Sequence, residues 1–154
     1  MMDHQEDAQL EEATVSVTGR IDPATHLRIA RPSRDLDAAE RFYVDGLGFA
    51  VLQRGRGTST GERHLLMVGL PGAAWHFELI HDTARTIEPV LTPDDLLALY
   101  LDAPIDDALI ERIEQAGGRR VPAHNPWWDQ IGVTIEDPDG YRLVLCERGW
   151  QPPS

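Results

Sequence analysis

One pattern occurs twice in this chain. Residues 25–49, THLRIARPSRDLDAAERFYVDGLGF, pass from an alternating apolar segment into an amphipathic helical segment that stops at Gly48. Residues 95–121, DLLALYLDAPIDDALIERIEQAGGRRV, do the same and stop at Gly118. A repeated strand–helix unit restricts the fold to architectures that pair or stack the copies, because a single copy cannot bury its own apolar face. The repeat also directs attention to the space enclosed between the copies.

The chain divides around these units. Residues 1–24 form an acidic tail with six carboxylates (Asp3, Glu6, Asp7, Glu11, Glu12, Asp22) against Arg20. Such a stretch reads as solvated, although TVSVTGRI alternates and is a candidate edge strand. The first module spans 25–82. A strand at His26–Ala30 is broken by Pro32 and Ser33, and Asp35 caps a helix over 36–46. Leu36, Ala39, Phe42, Tyr43 and Leu47 fall at three- and four-residue intervals and mark its buried face. Strands follow near 49–54, 64–70 and 75–81, with GRGTSTGE as a flexible connection.

Residues 83–94, with Pro89 and Pro93, read as a linker. The second module spans 95–148: a strand at Leu96–Asp102, a helix over 105–116 with Ile105, Leu109, Ile113 and Ala116 inward, and a Gly117-Gly118 stop. Strands follow near 119–123, 131–136 and 141–147. Asp137-Pro138-Asp139-Gly140 is a hairpin turn in which proline presets φ and glycine takes φ > 0. Residues 149–154 are a C-terminal tail. The fold class is α+β, two βαβββ modules. One helix covers one face of a four-stranded sheet, so the other face must meet the second module or another subunit.

Net charge and residue usage exclude several functions. A net charge of −12 repels nucleic acid. All 14 basic residues are arginine, so neither a Schiff-base lysine nor a phosphate-loop lysine exists. The single cysteine, Cys146, cannot form an intramolecular disulfide or a cysteine zinc cluster. No apolar run approaches the ~18 residues of a membrane span. The acidic N-terminus lacks the basic and apolar regions of a signal peptide, so the expected compartment is the cytoplasm.

Two motifs carry a resemblance. The helix reads D-L-x-x-A-x-x-F-Y-x-x-x-L-G-F on Asp35, Leu36, Ala39, Phe42, Tyr43, Leu47, Gly48 and Phe49, and the late turn reads D-P-D-G-Y-R-L on Asp137–Leu143. With the paired βαβββ pattern, residues 25–148 resemble the vicinal oxygen chelate superfamily: glyoxalase I, extradiol dioxygenases, and fosfomycin- and bleomycin-resistance proteins. The resemblance implies a curved sheet around a cavity, with metal ligands on the first and fourth strands of each module. In module one those positions are His26 and Glu78; in module two they are Leu96 and Val144, which cannot bind a metal. The fold does not settle the activity, since the superfamily holds isomerases, dioxygenases, transferases and binders.

Strand alternation extends this assignment. With His26 and Glu78 facing the cavity, Arg28, Ala30, His76 and Ile80 face it too, as do Tyr100, Arg142 and Cys146 in module two. The opposite faces, Leu27, Ile29, Phe77, Leu79, Leu97, Leu99, Leu101, Leu143 and Leu145, are apolar and expected to pack on the helices. Three readings of His26, His76 and Glu78 stay open. They form a two-His, one-carboxylate site for one divalent metal, Fe, Ni, Mn or Zn. They form a metal-free polar pocket in which Arg28 pairs with Glu78. Or they are satisfied core groups. In the first two, Glu78 suits general acid–base catalysis.

Trp127 and Trp128, in a loop HNPWWDQ, place one ring in the core and the other against a flat ligand. Trp75 belongs on the helix side, and Cys146 is an inert buried thiol. The function expected first is binding of a small, aromatic organic molecule by Arg28, His76, Tyr100, Trp127, Trp128 and Arg142, as in a bleomycin-resistance protein. The alternative is a metal-dependent lyase, isomerase or dioxygenase acting on vicinal oxygens, with His26, Glu78 and His76 as ligands. A structural module with a vestigial pocket is the third. A homodimer is expected, and neither nucleic acid nor membrane is an expected partner.

Overall fold

The computed structural model describes residues 19–55, 63–85 and 87–153. Most of the candidate edge strand TVSVTGRI and of the GRGTSTGE connection lies outside the described residues.

Module one runs β1 Leu27–Pro32, α1 Leu36–Glu40 continuing into a π-helical stretch Arg41–Gly46, β2 Ala50–Gly55, β3 Arg63–Gly69 and β4 Trp75–Asp82. Module two runs β5 Leu96–Tyr100, α2 Asp107–Gln115, β6 Arg119–Val121, α3 Trp127–Ile131, β7 Gly132–Glu136 and β8 Arg142–Cys146. Both modules form a four-stranded sheet of one topology, β1-β4-β3-β2 and β5-β8-β7-β6. In each, the first strand is parallel to the fourth and the other pairings are antiparallel. The repeat is therefore structural, and the α+β fold of two βαβββ units is the observed one.

Local chemistry explains the helix ends. Asp35 is extended (φ −147°), and its Oδ1 accepts from the amides of Asp37 and Ala38, both at 3.0 Å. Asp106 does the same for Ala108 at 2.9 Å. These caps satisfy amides that no helical carbonyl can reach. The chain leaves the helices through Gly48 (φ +79°) and Gly117 (φ +100°), a backbone region that a side chain disfavours.

Two elements differ from the sequence reading. The second half of the first helix winds as a π-helix, with the Leu47 amide donating to the Phe42 carbonyl at 3.0 Å. Each residue then turns less about the axis, so the consecutive Phe42 and Tyr43 both face inward and are both buried. HNPWWDQ is not a loop throughout: Trp127–Ile131 form the short helix α3. Pro126 is compatible with a helix start, and Asn125 Oδ1 accepts from the Trp127 amide at 3.0 Å. Five residues are too few for helical periodicity to show in the sequence.

One core joins the modules. Ala39, Phe42, Tyr43, Phe77 and Leu79 of module one cluster with Ile110, Ile113, Ile135, Leu143 and Leu145 of module two. The alternation assignment holds for Ile29, Phe77, Leu79, Leu97, Leu99, Leu143 and Leu145, which all join this cluster. It fails for Leu27 and Leu101, which are exposed, because one opens the edge strand and the other lies beyond the end of β5. Trp75 packs against the core as expected, 5.3 Å from the Phe77 ring.

The two sequence motifs meet at the joint. Tyr43 Oη donates to Asp137 Oδ2 at 2.7 Å, while Asp137 Oδ1 accepts from the amides of Asp139 and Tyr141 at 2.9 Å each. The Arg34 amide donates to Asp139 Oδ1 at 2.8 Å, and Tyr141 Oη donates to the Pro32 carbonyl at 3.0 Å. Arg112 of α2 donates through Nε to the Gly46 carbonyl at 2.9 Å. The turn of one module is thus hydrogen-bonded to the strand–helix junction of the other.

Burial raises the Asp137 carboxyl from 3.8 to about 6, against the lowering effect of the Tyr43 hydrogen bond, and neighbouring Asp139 adds to the rise. The native state holds this proton more tightly than the unfolded chain. The resulting stabilisation is fully present below pH 3.8 and is lost as the pH rises through about 6. Wild type should therefore lose about 2 kcal/mol relative to Asp137→Asn between pH 4 and pH 7. Denaturant melts of both proteins at several pH values measure this; parallel pH profiles would contradict it.

Candidate functional site

Each sheet turns one face to the shared core, and its inner face is the opposite one. On the inner face of module one the parallel register pairs Arg28 with His76 and Ala30 with Glu78. His26 precedes β1 by one residue and reaches His76, Nε2 to Nδ1 at 2.6 Å. Arg28 Nε donates to His76 Nε2 at 3.0 Å, and Arg28 Nη1 pairs with Glu78 Oε2 at 2.9 Å. His76, Arg28, Glu78 and His26 therefore form one hydrogen-bonded network.

The donors fix its protonation. An arginine cannot accept, so His76 Nε2 must be the acceptor and carries no proton. His76 is then protonated on Nδ1 and donates to His26 Nε2. The ionisation of His76 agrees: burial first, then the Arg28 charge, hold its pKa below the usual value, against the opposing pull of Glu78. His76 is buried, and the Arg28 side chain is 51% exposed, so one side of the guanidinium remains open to a ligand.

This donor set does not fit a divalent ion. A metal held by His26, His76 and Glu78 needs a lone pair from each. The Nε2 lone pair of His76 accepts from Arg28 and that of His26 accepts from His76, so neither ring has one free, while Glu78 is paired with Arg28. The guanidinium bridges the two residues that a cation would bridge, and a second cation beside it would meet like charge. Among the described residues, no three His, Cys, Asp or Glu side chains are grouped so as to hold a metal.

Module two places its expected residues differently. Leu96, Ala98, Val144 and Cys146 make an apolar inner patch covered by Ile131 and Trp128 of α3. Trp128 is thus the ring that packs; Trp127 is 46% exposed, with Arg148 stacked 5.3 Å from its centroid. Tyr100 is exposed at the end of β5. Arg142 is not open to a ligand's charge, since it pairs with Glu136 at 3.3 Å, and Glu136 also binds Arg119. Glu136 and Arg119 escaped the sequence reading, which followed alternation along β5 and β8 only. Extended to β6 and β7, the same alternation finds both. Cys146 is buried and its thiol pKa is pushed up by burial, as befits an inert thiol.

Cavities open separately in the two modules. One of about 370 Å³ continues the inner face of module one past Glu78, walled by Ala30, Pro32, Ile80 and Ile87 with Asp82 and Arg85 at its rim. Another of about 370 Å³ lies in module two beneath α3. A further cavity, about 400 Å³, sits at the start of α1, and none of the three is lined by an expected ligand residue. None of these three is lined by inner-face residues of both modules.

Removing the guanidinium should raise the His76 pKa, because a lowering charge goes and Glu78 is left unpaired beside it. Imidazole proton shifts followed against pH in wild type and Arg28→Gln measure this. An unchanged His76 titration would contradict the assigned network.

Family models match the chain over both modules: a YycE-like N-terminal domain over residues 27–80 and a YycE-like C-terminal domain over residues 94–147. The protein YycE of Bacillus subtilis (strain 168) is 38% identical over 123 residues, covering 79% of this chain and 87% of its own length. A crystal structure of a Bacillus subtilis YycE protein superposes with a TM-score of 0.73 at 33% identity, over 85% of this chain and 95% of that one. An antibiotic-binding protein, TnmS3 of Streptomyces sp. CB03234, gives a TM-score of 0.52 at 26% identity, over 86% of this chain and 97% of that one. Glyoxalase I of Leishmania major, at 18% identity and a TM-score of 0.60 over 77% and 83%, shares the fold. The chain belongs to the YycE-like family of the vicinal oxygen chelate superfamily.

Proposed function

We propose that this protein binds a small, planar organic molecule on the inner face of module one, without a metal. The observation that carries this reading is Arg28, whose guanidinium joins His76 to Glu78 where a metal-dependent relative would need a cation. The exposed part of that guanidinium offers N–H donors to a ligand oxygen. The adjoining cavity offers apolar walls at Ala30, Pro32, Ile80 and Ile87. A few directed polar groups beside an apolar wall are what orient a small organic ligand. The positions in module two that would complete a metal site are Leu96 and Val144, closed over by Trp128 and Ile131. The likeness to an antibiotic-binding protein points the same way.

The ligand seat is completed by a second copy. The inner face of module one is open in the single chain, and exposed Leu27 and Leu52 on module one and Tyr100, Leu101 and Trp127 on module two offer apolar surface for the contact. A homodimer would bring one copy's module one against the other's module two, and so place Trp127 and Tyr100 near Arg28 of the neighbouring copy. His26 and Glu78 then act as orienting groups, and no acid–base step is assigned to Glu78.

A panel of planar aromatic compounds should raise the melting temperature of wild type, and Arg28→Ala should lose at least roughly 10-fold in affinity for any that does. Sedimentation should give twice the chain mass. One Fe, Ni, Mn or Zn ion bound per chain and lost in His26→Ala would contradict the metal-free reading.

A further inference from the structure

The inner face of module one offers hydrogen-bond donors without offering net positive charge. Arg28 gives its Nε–H to His76 Nε2 at 3.0 Å, and its Nη1 lies 2.9 Å from Glu78 Oε2. Its Nη2 makes only a long contact, 4.0 Å to Met67 Sδ. A guanidinium carries five N–H donors, so some remain for a ligand, and the side chain is half exposed.

The charge of that guanidinium, by contrast, is already matched. Glu78 is flanked across the sheet by Ala30 and Met67, neither of which has a side-chain donor. Among the described residues Arg28 alone pairs with its carboxylate. His76, with a bare Nε2, is neutral. The other arginines that border this face do not change the balance. Asp82 stands beside Arg85 at the far rim of the adjoining cavity and accepts from its amide at 3.1 Å. Arg31 directs its charge over the Tyr141 ring, 4.5 Å from the centroid.

We propose that Glu78 is a specificity-determining residue: it makes the inner face of module one take a neutral carbonyl compound and turn away the corresponding carboxylate. The proposal rests on the binding function given above and adds the chemical class of the ligand to it. A ligand oxygen that accepts from Arg28 also comes close to Glu78, because both are held by one guanidinium. A carboxylate in that place gains attraction from Arg28 and loses a similar amount to repulsion from Glu78, while it gives up the water that solvates its charge. A carbonyl oxygen gains the hydrogen bond and gives up far less hydration. The same balance works against phosphates and phosphonates.

Equilibrium dialysis of the full chain at neutral pH against acetylnaphthalene and naphthoate tests this. The two compounds differ in a methyl group against a charged oxygen beside the same carbonyl. Any apolar seat favours the ketone to some degree, so the variants decide. Wild type and Glu78→Asp should bind acetylnaphthalene at least roughly 10-fold tighter than naphthoate. Glu78→Gln keeps the shape and an acceptor for Arg28 but removes the charge. Its preference should shrink by at least roughly 10-fold, or reverse, through a gain in naphthoate affinity. An unchanged preference in Glu78→Gln, with its fold verified by circular dichroism, overturns the role of Glu78 and leaves a binding protein in place. A wild type that favours naphthoate does the same. Failure of wild type to bind either compound overturns the ligand class and the binding function together.

Discussion

Each four-stranded sheet in this protein has one long helix to cover it, and one helix covers one face. The chain meets that limit by pooling the covered faces. Phe42 and Tyr43 from one module and Ile110 and Ile113 from the other pack into a single core between the sheets. The remaining faces are left outside it. Their residues are not under pressure to be apolar, which is why His26, Arg28, His76, Glu78, Thr134, Glu136 and Arg142 can all occupy strands or strand ends. The joint between modules also has a polar part, where the buried Tyr43–Asp137 hydrogen bond ties the helix of one to the turn of the other.

On the inner face of module one, the chemistry turns on a guanidinium. Arg28 is half exposed, and an ion pair in that setting adds little to stability, about 0–1 kcal/mol. Its consequence is for recognition. Arginine cannot be deprotonated in a protein and accepts no hydrogen bond, so it fixes His76 as an acceptor and Glu78 as a carboxylate. A face that could have gathered ligands for a cation carries one of its own. What it presents outward is a set of donors, which suits an oxygen-bearing organic molecule.

Much of the fold was legible in the sequence because it depends on local signals. Asp35 and Asp106 sit where caps belong, glycines stand at both helix ends, and alternation marked the faces of β1, β4, β5 and β8. Tyr43 and Asp137 were found as motif members, but their contact is long-range and no spacing encodes it. The same holds for the site. Arg28 was picked out as a partner for Glu78, whereas its bond to His76, which decides the protonation of the network, depends on the parallel register of β1 and β4. Arg142 looked available for a ligand because Glu136 and Arg119 come from strands whose alternation had not been followed. The helix at Trp127–Ile131 was hidden by its length, and with it the apolar cover over Val144 and Cys146.

In the proposed metal-free site, Arg28 stands where a metal would have to be. The most direct measurement is the long-range nitrogen–proton correlation spectrum of the histidine rings, recorded before and after one equivalent of Ni(II) or Mn(II). His76 should show a bare Nε2 and a protonated Nδ1, and the His26 and His76 signals should persist unchanged with the metal present. Loss of both sets of signals at one equivalent would place the ion on these rings and rule out a metal-free site.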